Sequence, residues 1–388
     1  MNIIYNGFDN ISSNLTKFFN KYNNILHKPQ INFLPSLFIG ILKSKSLCPS
    51  NISDCLSKYY SEILPTSINK RITRMLNNKR FKGHELYNAI VKNIINNYSV
   101  KHHDNKVHII IDHMYSKDNY TLYVASIRIG KQGIPLYFKS FYGINVSEAY
   151  LDETIKDAIT YIHNLFYGSN LELVFLADRW FNSSSLLNYI DSLGHTYCIR
   201  LKGIVRIKYF DNKENNYIYS YTEKLQSNQN YATYYDDVIL NPFSENVKCK
   251  IAISKRDNLQ EPWIIATNGE VKRAIRNYSY RFGGIETIFK NQKSNCFYLE
   301  KTVNASINYF DNLYSVLCII NIFLVCLGTD YSKNSKCYKD KIIETHKNIN
   351  GIKTRVISLF KVGLKLFTIA FENTKYIRLP IRFILYDI

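Results

Sequence analysis

VHIIID at 107–112 and LELVFLAD at 171–178 are two apolar runs that each end in an aspartate, and their reading decides the fold. Short runs of this kind, rich in β-branched and aromatic residues, predict buried strands. A carboxylate inside a buried strand is desolvated at heavy cost. At the C-terminal end of a strand it escapes that cost, and strand ends in open α/β sheets are where ligands bind. If the two strands are neighbours, Asp112 and Asp178 face each other, and such a pair repels unless a hard cation lies between them. Either aspartate taken singly would equally cap the turn that follows it.

Outward from these runs the texture alternates. TLYVASIRI (121–129) and IPLYFKSFYG (134–143) follow the first run across short polar turns and predict an antiparallel meander. A helix over 148–166, the second run, a helix over 182–193 and a strand HTYCIRLK (195–202) complete the order β-β-β-α-β-α-β. That order predicts an α/β core whose antiparallel hairpin feeds a partly parallel, helix-covered sheet. Residues 204–268 read as a β-rich insertion closed by WIIATN (263–268), and 270–292 read as mostly helical. Before the core, segments 15–22, 34–45, 52–63, 68–76 and 83–98 carry apolar residues at helical spacing, with Ser67 as a cap for the fourth. The predicted parts are a helical domain (1–100), a core in two pieces (101–203 and 269–330), the insertion (204–268) and a helical C-terminal region (331–388).

The 388 residues carry 50 basic and 31 acidic side chains, a formal charge of +19. This excess favours encounter with polyanions, and nucleic acid is the expected partner. Lys70, Arg71, Arg74, Lys79 and Arg80 give the helical domain a basic edge suited to DNA, although solvated helix faces are often basic too. The eight cysteines are scattered without a CxxC pair, which argues against a zinc module or disulfide framework and fits a reducing cytoplasm. The opening MNIIYNGFDN lacks the basic and apolar regions of a signal peptide. The apolar run 316–327, interrupted by Asn321, predicts a buried helix and no membrane span. His102, His103, Asp104 and His108 cluster in a stretch without helix or strand register, and read as a linker. Trp263 and the insertion's tyrosines either pack on sheet faces or stack on bases.

A third acid lies in Tyr278-Ser-Tyr-Arg281-Phe-Gly-Gly-Ile-Glu286, with Lys290 and Lys293 four and seven residues beyond Glu286, on one helical face. This segment resembles the Tyr-(2)-Arg-(3)-Glu-(6)-Lys signature of DDE transposases of bacterial insertion sequences, in particular the IS-four family. Two residues separate Tyr278 from Arg281 and six separate Glu286 from Lys293, as in the signature. Asp178-Arg179-Trp180-Phe181 resembles the block around that family's second aspartate, usually Asp-Arg-Gly-Phe, and Ile111-Asp112 matches the first. The 107 residues between Asp178 and Glu286 (179–285) resemble the β-insertion these enzymes place before the catalytic helix. Two departures stand out: four residues, not three, separate Arg281 from Glu286, and Trp180 replaces a glycine. The extra residue rotates Arg281 by about 100° on an unbroken helix, so either a helix starts after Gly283-Gly284 or a π-bulge absorbs the insertion.

The resemblance implies a ribonuclease-H-like core. It implies that Asp112, Asp178 and Glu286 hold two Mg²⁺ ions, with Asp112 bridging and Mn²⁺ a possible substitute. It implies cut-and-paste cleavage and strand transfer on double-stranded DNA, at terminal inverted repeats and at a target, by a homodimer. Tyr278, Arg281, Lys290, Lys293 and Arg179 are the implied DNA contacts. The alternatives are a ribonuclease-H-like nuclease that does not transpose, and a transposase-derived DNA-binding protein without catalysis. The second would be marked by loss of an acid, and all three are present.

Overall fold

A computed structural model of the protein describes residues 5–96, 105–116, 120–129, 132–143, 146–211, 213–226, 231–255, 261–295, 297–299, 306–334, 345–347, 353–355 and 357–372. His102, His103 and Asp104 lie outside them. The protein is mixed α/β, built on one ten-stranded mixed sheet with helices on both faces. In chain order the first strands are β1 (Lys106–Ser116), β2 (Tyr120–Ile129), β3 (Gln132–Tyr142), β4 (Glu172–Ala177) and β5 (Thr196–Arg200). The insertion supplies β6 (Arg206–Asp211), β7 (Asn216–Tyr221), β8 (Thr233–Leu240), β9 (Val247–Ser254) and β10 (Trp263–Thr267). Their spatial order is β3-β2-β1-β4-β5-β10-β9-β8-β6-β7. The meander is antiparallel, β1-β4 and β4-β5 are parallel, and the insertion continues the sheet antiparallel from β5.

Helix α6 (Glu148–Leu165) and α7 (Ser184–Ser192) cover one face, where each starts on a serine cap: Ser147 accepts from Tyr150 and Ser183 from Leu186. Helix α8 (Val271–Ser279) and the short α9 (Ile285–Lys290) cover the other. His108 and Ile110 of β1 point to that second face, against Tyr280 and Gly284, while His113 points to the first, against Phe181. The alternation of a strand thus separates the two sides.

The N-terminal helices are α1 (Tyr5–Phe19), α2 (Lys28–Ser44), α3 (Pro49–Ser57), α4 (Pro65–Asn77) and α5 (Gly83–Asn96). The fourth begins earlier than Ser67 predicts, because Pro65 takes the first helical position, where its fixed φ suits the helix and no amide is missed. Of these, α5, α4 and α2 pack on α10 (Ile307–Asn334), which also contacts β3 and α11 (Leu359–Glu372), while α1 packs on α2 and α11 and α3 on α2 and α4. The apolar run 316–327 therefore lies in a much longer helix. Among the described residues α10 alone is long and apolar enough to cross a membrane, and 94% of its apolar window is buried inside the protein. Gly328 and Gly363 let α10 and α11 touch backbone to backbone: a Cβ at either would fall 2.1 or 2.0 Å from a carbonyl oxygen of the other helix. Buried Asn312 donates to Leu76 O and accepts from Gly83 N, pinning the end of α4 and the start of α5 to α10. The C-terminal region is not all helical, since β11 (Thr345–Lys347) and β12 (Lys353–Arg355) form a small hairpin sheet.

Candidate active site

The parallel ladder between β1 and β4 ends at Ile111↔Ala177. The next residues on the two strands are Asp112 and Asp178, side by side on strands about 4.8 Å apart. Asp112 is not at the tip of β1, as the apolar run suggested. The strand runs on to Ser116 because its hairpin partner β2 continues beside it, with Asp112 opposite Val124. What stops at this point is β4, and its departure opens one side of Asp112 to the surface.

Each carboxylate is anchored in the same way. Asp112 Oδ1 accepts the amide of His113 at 2.9 Å and Asp178 Oδ1 accepts the amide of Arg179 at 2.7 Å. Each Oδ2 turns to Arg281, whose Nη2 lies 2.7 Å from Asp112 Oδ2 and 3.9 Å from Asp178 Oδ2. Both oxygens touch one nitrogen, so they are no more than about 6.6 Å apart, the two distances laid end to end. Among the described residues neither Oδ2 has another partner. The side chains are 10% (Arg281), 16% (Asp112) and 28% (Asp178) exposed, so the cluster is sheltered but reachable.

Burial pushes the Asp112 carboxyl above the usual range, helped by the Asp178 charge, while Arg281 and the His113 amide pull against it. Burial acts to lower Arg281, but Asp112, Tyr278, Asp178 and Glu286 carry its guanidinium above the ordinary value. The arginine is therefore a permanent cation placed where a cation between two carboxylates is required. Its Nε is buried and has no hydrogen-bond partner. Sequence reasoning assigned Arg281 to DNA; in this structure, which holds no DNA, it is the counter-ion of the acid pair.

The Gly283-Gly284 break explains how it gets there. Helix α8 ends at Ser279, and α9 starts after Gly284, the first of the two solutions open for the extra residue. Gly283 has φ +84°, a left-handed conformation that favours glycine. Gly284 presses on β1: a Cβ there would meet Ile110 Cδ1 at 2.4 Å. The turn between the helices is held by Phe282 stacked on Trp263 at 5.3 Å and by Arg128, which donates to Tyr280 O at 2.7 Å and lies over its ring.

The remaining expected residues divide. Glu286 is exposed in the first turn of α9, makes no side-chain hydrogen bond or ion pair among the described residues, and is near enough for its charge to act on Arg281. Among the described residues no three His, Cys, Asp or Glu side chains are gathered closely enough to hold one metal ion. Three carboxylates fit Mg²⁺ in kind, since they are hard oxygen donors. Two of them converge, and the third stands on the neighbouring helix. Lys290 is exposed one turn beyond Glu286, but the chain widens into a π-turn over Asn291–Asn295, which takes half-buried Lys293 out of the predicted row. Tyr278 is buried at 1% exposure against Trp263, and burial pushes its hydroxyl up to about 12, so it packs under the turn and displays nothing to a ligand. Trp263 is likewise a packing residue. Arg179 is paired with Glu261 at 3.0 Å, an acid it shares with Arg200.

Lys70, Arg71, Arg74, Lys79 and Arg80 are all exposed on α4 and the turn after it, where Arg71 lies over the Phe33 ring at 4.3 Å. The turn is docked on α10 through Asn308 and Asn312, which gives these cations a rigid mount. Missed by sequence reasoning is a cavity of about 930 Å³ on the α6–α7 face, lined by His113, Trp180, Asn182 and Lys202 among others. Burial lowers His113, and its Nδ1 has no partner. No single signal in the sequence marks this cavity, because its walls come from six separate segments.

The chain matches no protein-family model, and no curated protein matches it.

Proposed function

We propose that the chain is a DDE transposase of the IS-four kind, a Mg²⁺-dependent DNA endonuclease and strand transferase acting in the cytoplasm. The observation that carries the reading is the pairing of Asp112 with Asp178 across the end of a parallel β1-β4 ladder, closed by Arg281 from the segment that leads to Glu286. The sheet order β3-β2-β1-β4-β5, with the first three strands antiparallel and the next two parallel to β1, supports a ribonuclease-H-like core. The insertion then interrupts the core between β5 and α8.

In this reading Asp112, Asp178 and Glu286 hold two Mg²⁺ ions, with Mn²⁺ an acceptable substitute. Bound there, the ions supply Lewis acidity at the scissile phosphate and at the leaving 3′ oxygen. The chain's own residues do the rest. Asp112 and Asp178 are pre-aimed by the backbone amides of His113 and Arg179, so no side-chain reorganisation is needed on that side. Glu286 closes from α9. Arg281 gives up the carboxylates and presents its fork to a phosphate oxygen, a geometry suited to guanidinium. Lys290 and the docked basic turn hold the duplex, and a homodimer brings two terminal inverted repeats together with the target.

The test is a strand-transfer assay on duplex DNA taken from the two flanks of the gene. Cleavage and joining of those ends with Mg²⁺ supports the transposase. Cleavage without joining favours a nuclease, and binding without cleavage favours a catalytically idle descendant.

A further inference from the structure

The outermost two strands of the sheet carry an aromatic and cationic face that the active site does not use. Register places Arg206 opposite Tyr221, Lys208 opposite Tyr219 and Phe210 opposite Tyr217. Alternation along each strand turns all six side chains to the same face. Tyr217, Tyr219 and Tyr221 are 40%, 55% and 38% exposed, and Phe243, stacked on Tyr219 at 5.2 Å, is 70% exposed. Lys208 Nζ lies 4.8 Å from the Tyr217 ring and 5.5 Å from that of Tyr219, and Lys224 lies 6.0 Å from Tyr221. Among the described residues Arg206, Lys208 and Lys224 make no ion pair. The acid nearest the row, Asp237, accepts a hydrogen bond from the Tyr217 hydroxyl.

We infer that this face binds single-stranded DNA, with bases laid on the tyrosine row and phosphates held by Arg206, Lys208 and Lys224. Rings on one strand face repeat about every 7 Å, and every base has a π-face to offer; at Tyr219, which Phe243 already covers, the base stacks on the outer face of Phe243. Duplex DNA hides its bases in the stack and would engage the cations alone, leaving the aromatics idle. A buried structural role does not account for rings this exposed on the outer strand of a sheet. Six strand spacings separate β7 from β4, about 29 Å. At the ring spacing of about 7 Å per nucleotide, a strand unpaired at the active site would reach the row about four nucleotides away. The inference rests on the proposed function only for the identity of that strand as DNA.

The experiment is fluorescence anisotropy on the full chain, with a labelled thymidine oligomer of about 20 nucleotides and with a duplex of equal length. Tyr217→Ser/Tyr219→Ser is expected to weaken single-strand binding by about 5-fold or more per ring, about 30-fold or more for the pair, and duplex binding by less than about twofold. Lys208→Gln is expected to lower the salt dependence of single-strand binding by about 0.7 in slope. Tyr167→Ser, at a remote site 82% exposed, is the control and should change neither. Thermal melting of each variant confirms that it is folded. Unchanged single-strand binding in the double variant overturns the inference. So does an equal loss on single strand and duplex. Cleavage is measured separately: its absence with the single-strand result intact would sink the transposase reading and leave this surface standing.

Discussion

Replacing Arg281 with alanine leaves two half-buried carboxylates facing each other with no cation between them. At an effective dielectric of about 20 the guanidinium gains roughly 6 kcal/mol from Asp112 at 2.7 Å and roughly 4 kcal/mol from Asp178 at 3.9 Å, before desolvation. Much of this is offset by the burial of all three groups. Removing one partner of a buried pair typically costs about 3–5 kcal/mol, because the charge left behind is uncompensated. For 388 residues that is a fall in Tm of about 4–6 °C. A divalent cation should undo the loss, since it satisfies the same two oxygens without competition, and at a hundred times its Kd it contributes about 2.7 kcal/mol. In the wild type the ion must first displace Arg281, so its gain is smaller. The assay is thermal melting of wild type and Arg281→Ala with and without Mn²⁺. The expected result is a lower Tm for the variant in chelator and a larger Mn²⁺-induced rise. Equal Mn²⁺ shifts in the two proteins would refute the idea that arginine and metal contend for one place.

Three further outcomes follow from the same geometry. Glu286→Gln should abolish Mg²⁺-dependent cleavage while leaving duplex affinity equal or slightly higher, because the amide keeps the shape but lacks the charge a hard cation needs; gel-shift and cleavage assays on one preparation read both. Asp311 on α10, held by Ser140, is pushed up to about 6 by burial, so the folded protein keeps its proton at pH values where the unfolded chain has lost it. Stability should therefore fall as pH rises from about 4 through 6, by about 1–3 kcal/mol, and Asp311→Asn should remove that slope in urea titrations. Gly284→Ala drives a Cβ into Ile110 Cδ1 and should cost about 1–3 kcal/mol together with most of the cleavage rate, with Ile110→Val on the same chain restoring part of both.

Much of the fold was legible because it rests on local patterns. The apolar runs ending in Asp112 and Asp178 did become neighbouring parallel strands, the meander and the insertion strands fell where alternation put them, and five N-terminal helices matched their spacing. What escaped depends on partners distant in sequence. Asp112 looked like a strand tip because the run of β-branched residues stops there, while the length of β1 is set by β2. The apolar stretch of α10 looked short because its flanks are polar residues such as Asn312 and Asp311, whose roles appear only once α4, α5 and β3 are packed against them. Tyr278 and Arg281 read as DNA contacts, and Trp263 as either a packing or a base-stacking residue. Burial under the Gly283-Gly284 turn makes Tyr278 and Trp263 packing residues and Arg281 a counter-ion. That turn is also where the spacing from Arg281 to Glu286 grows by one, so the departure in sequence marked the place where one helix ends and the next begins.

The measurement closest to the central claim is anomalous diffraction from crystals of the protein grown with Mn²⁺ and a short DNA end. The account predicts manganese density against Asp112 Oδ2 and Asp178 Oδ2, Glu286 drawn in as a ligand, and Arg281 withdrawn to a phosphate. Manganese bound elsewhere, with Arg281 still between the two aspartates in the presence of DNA, would contradict it.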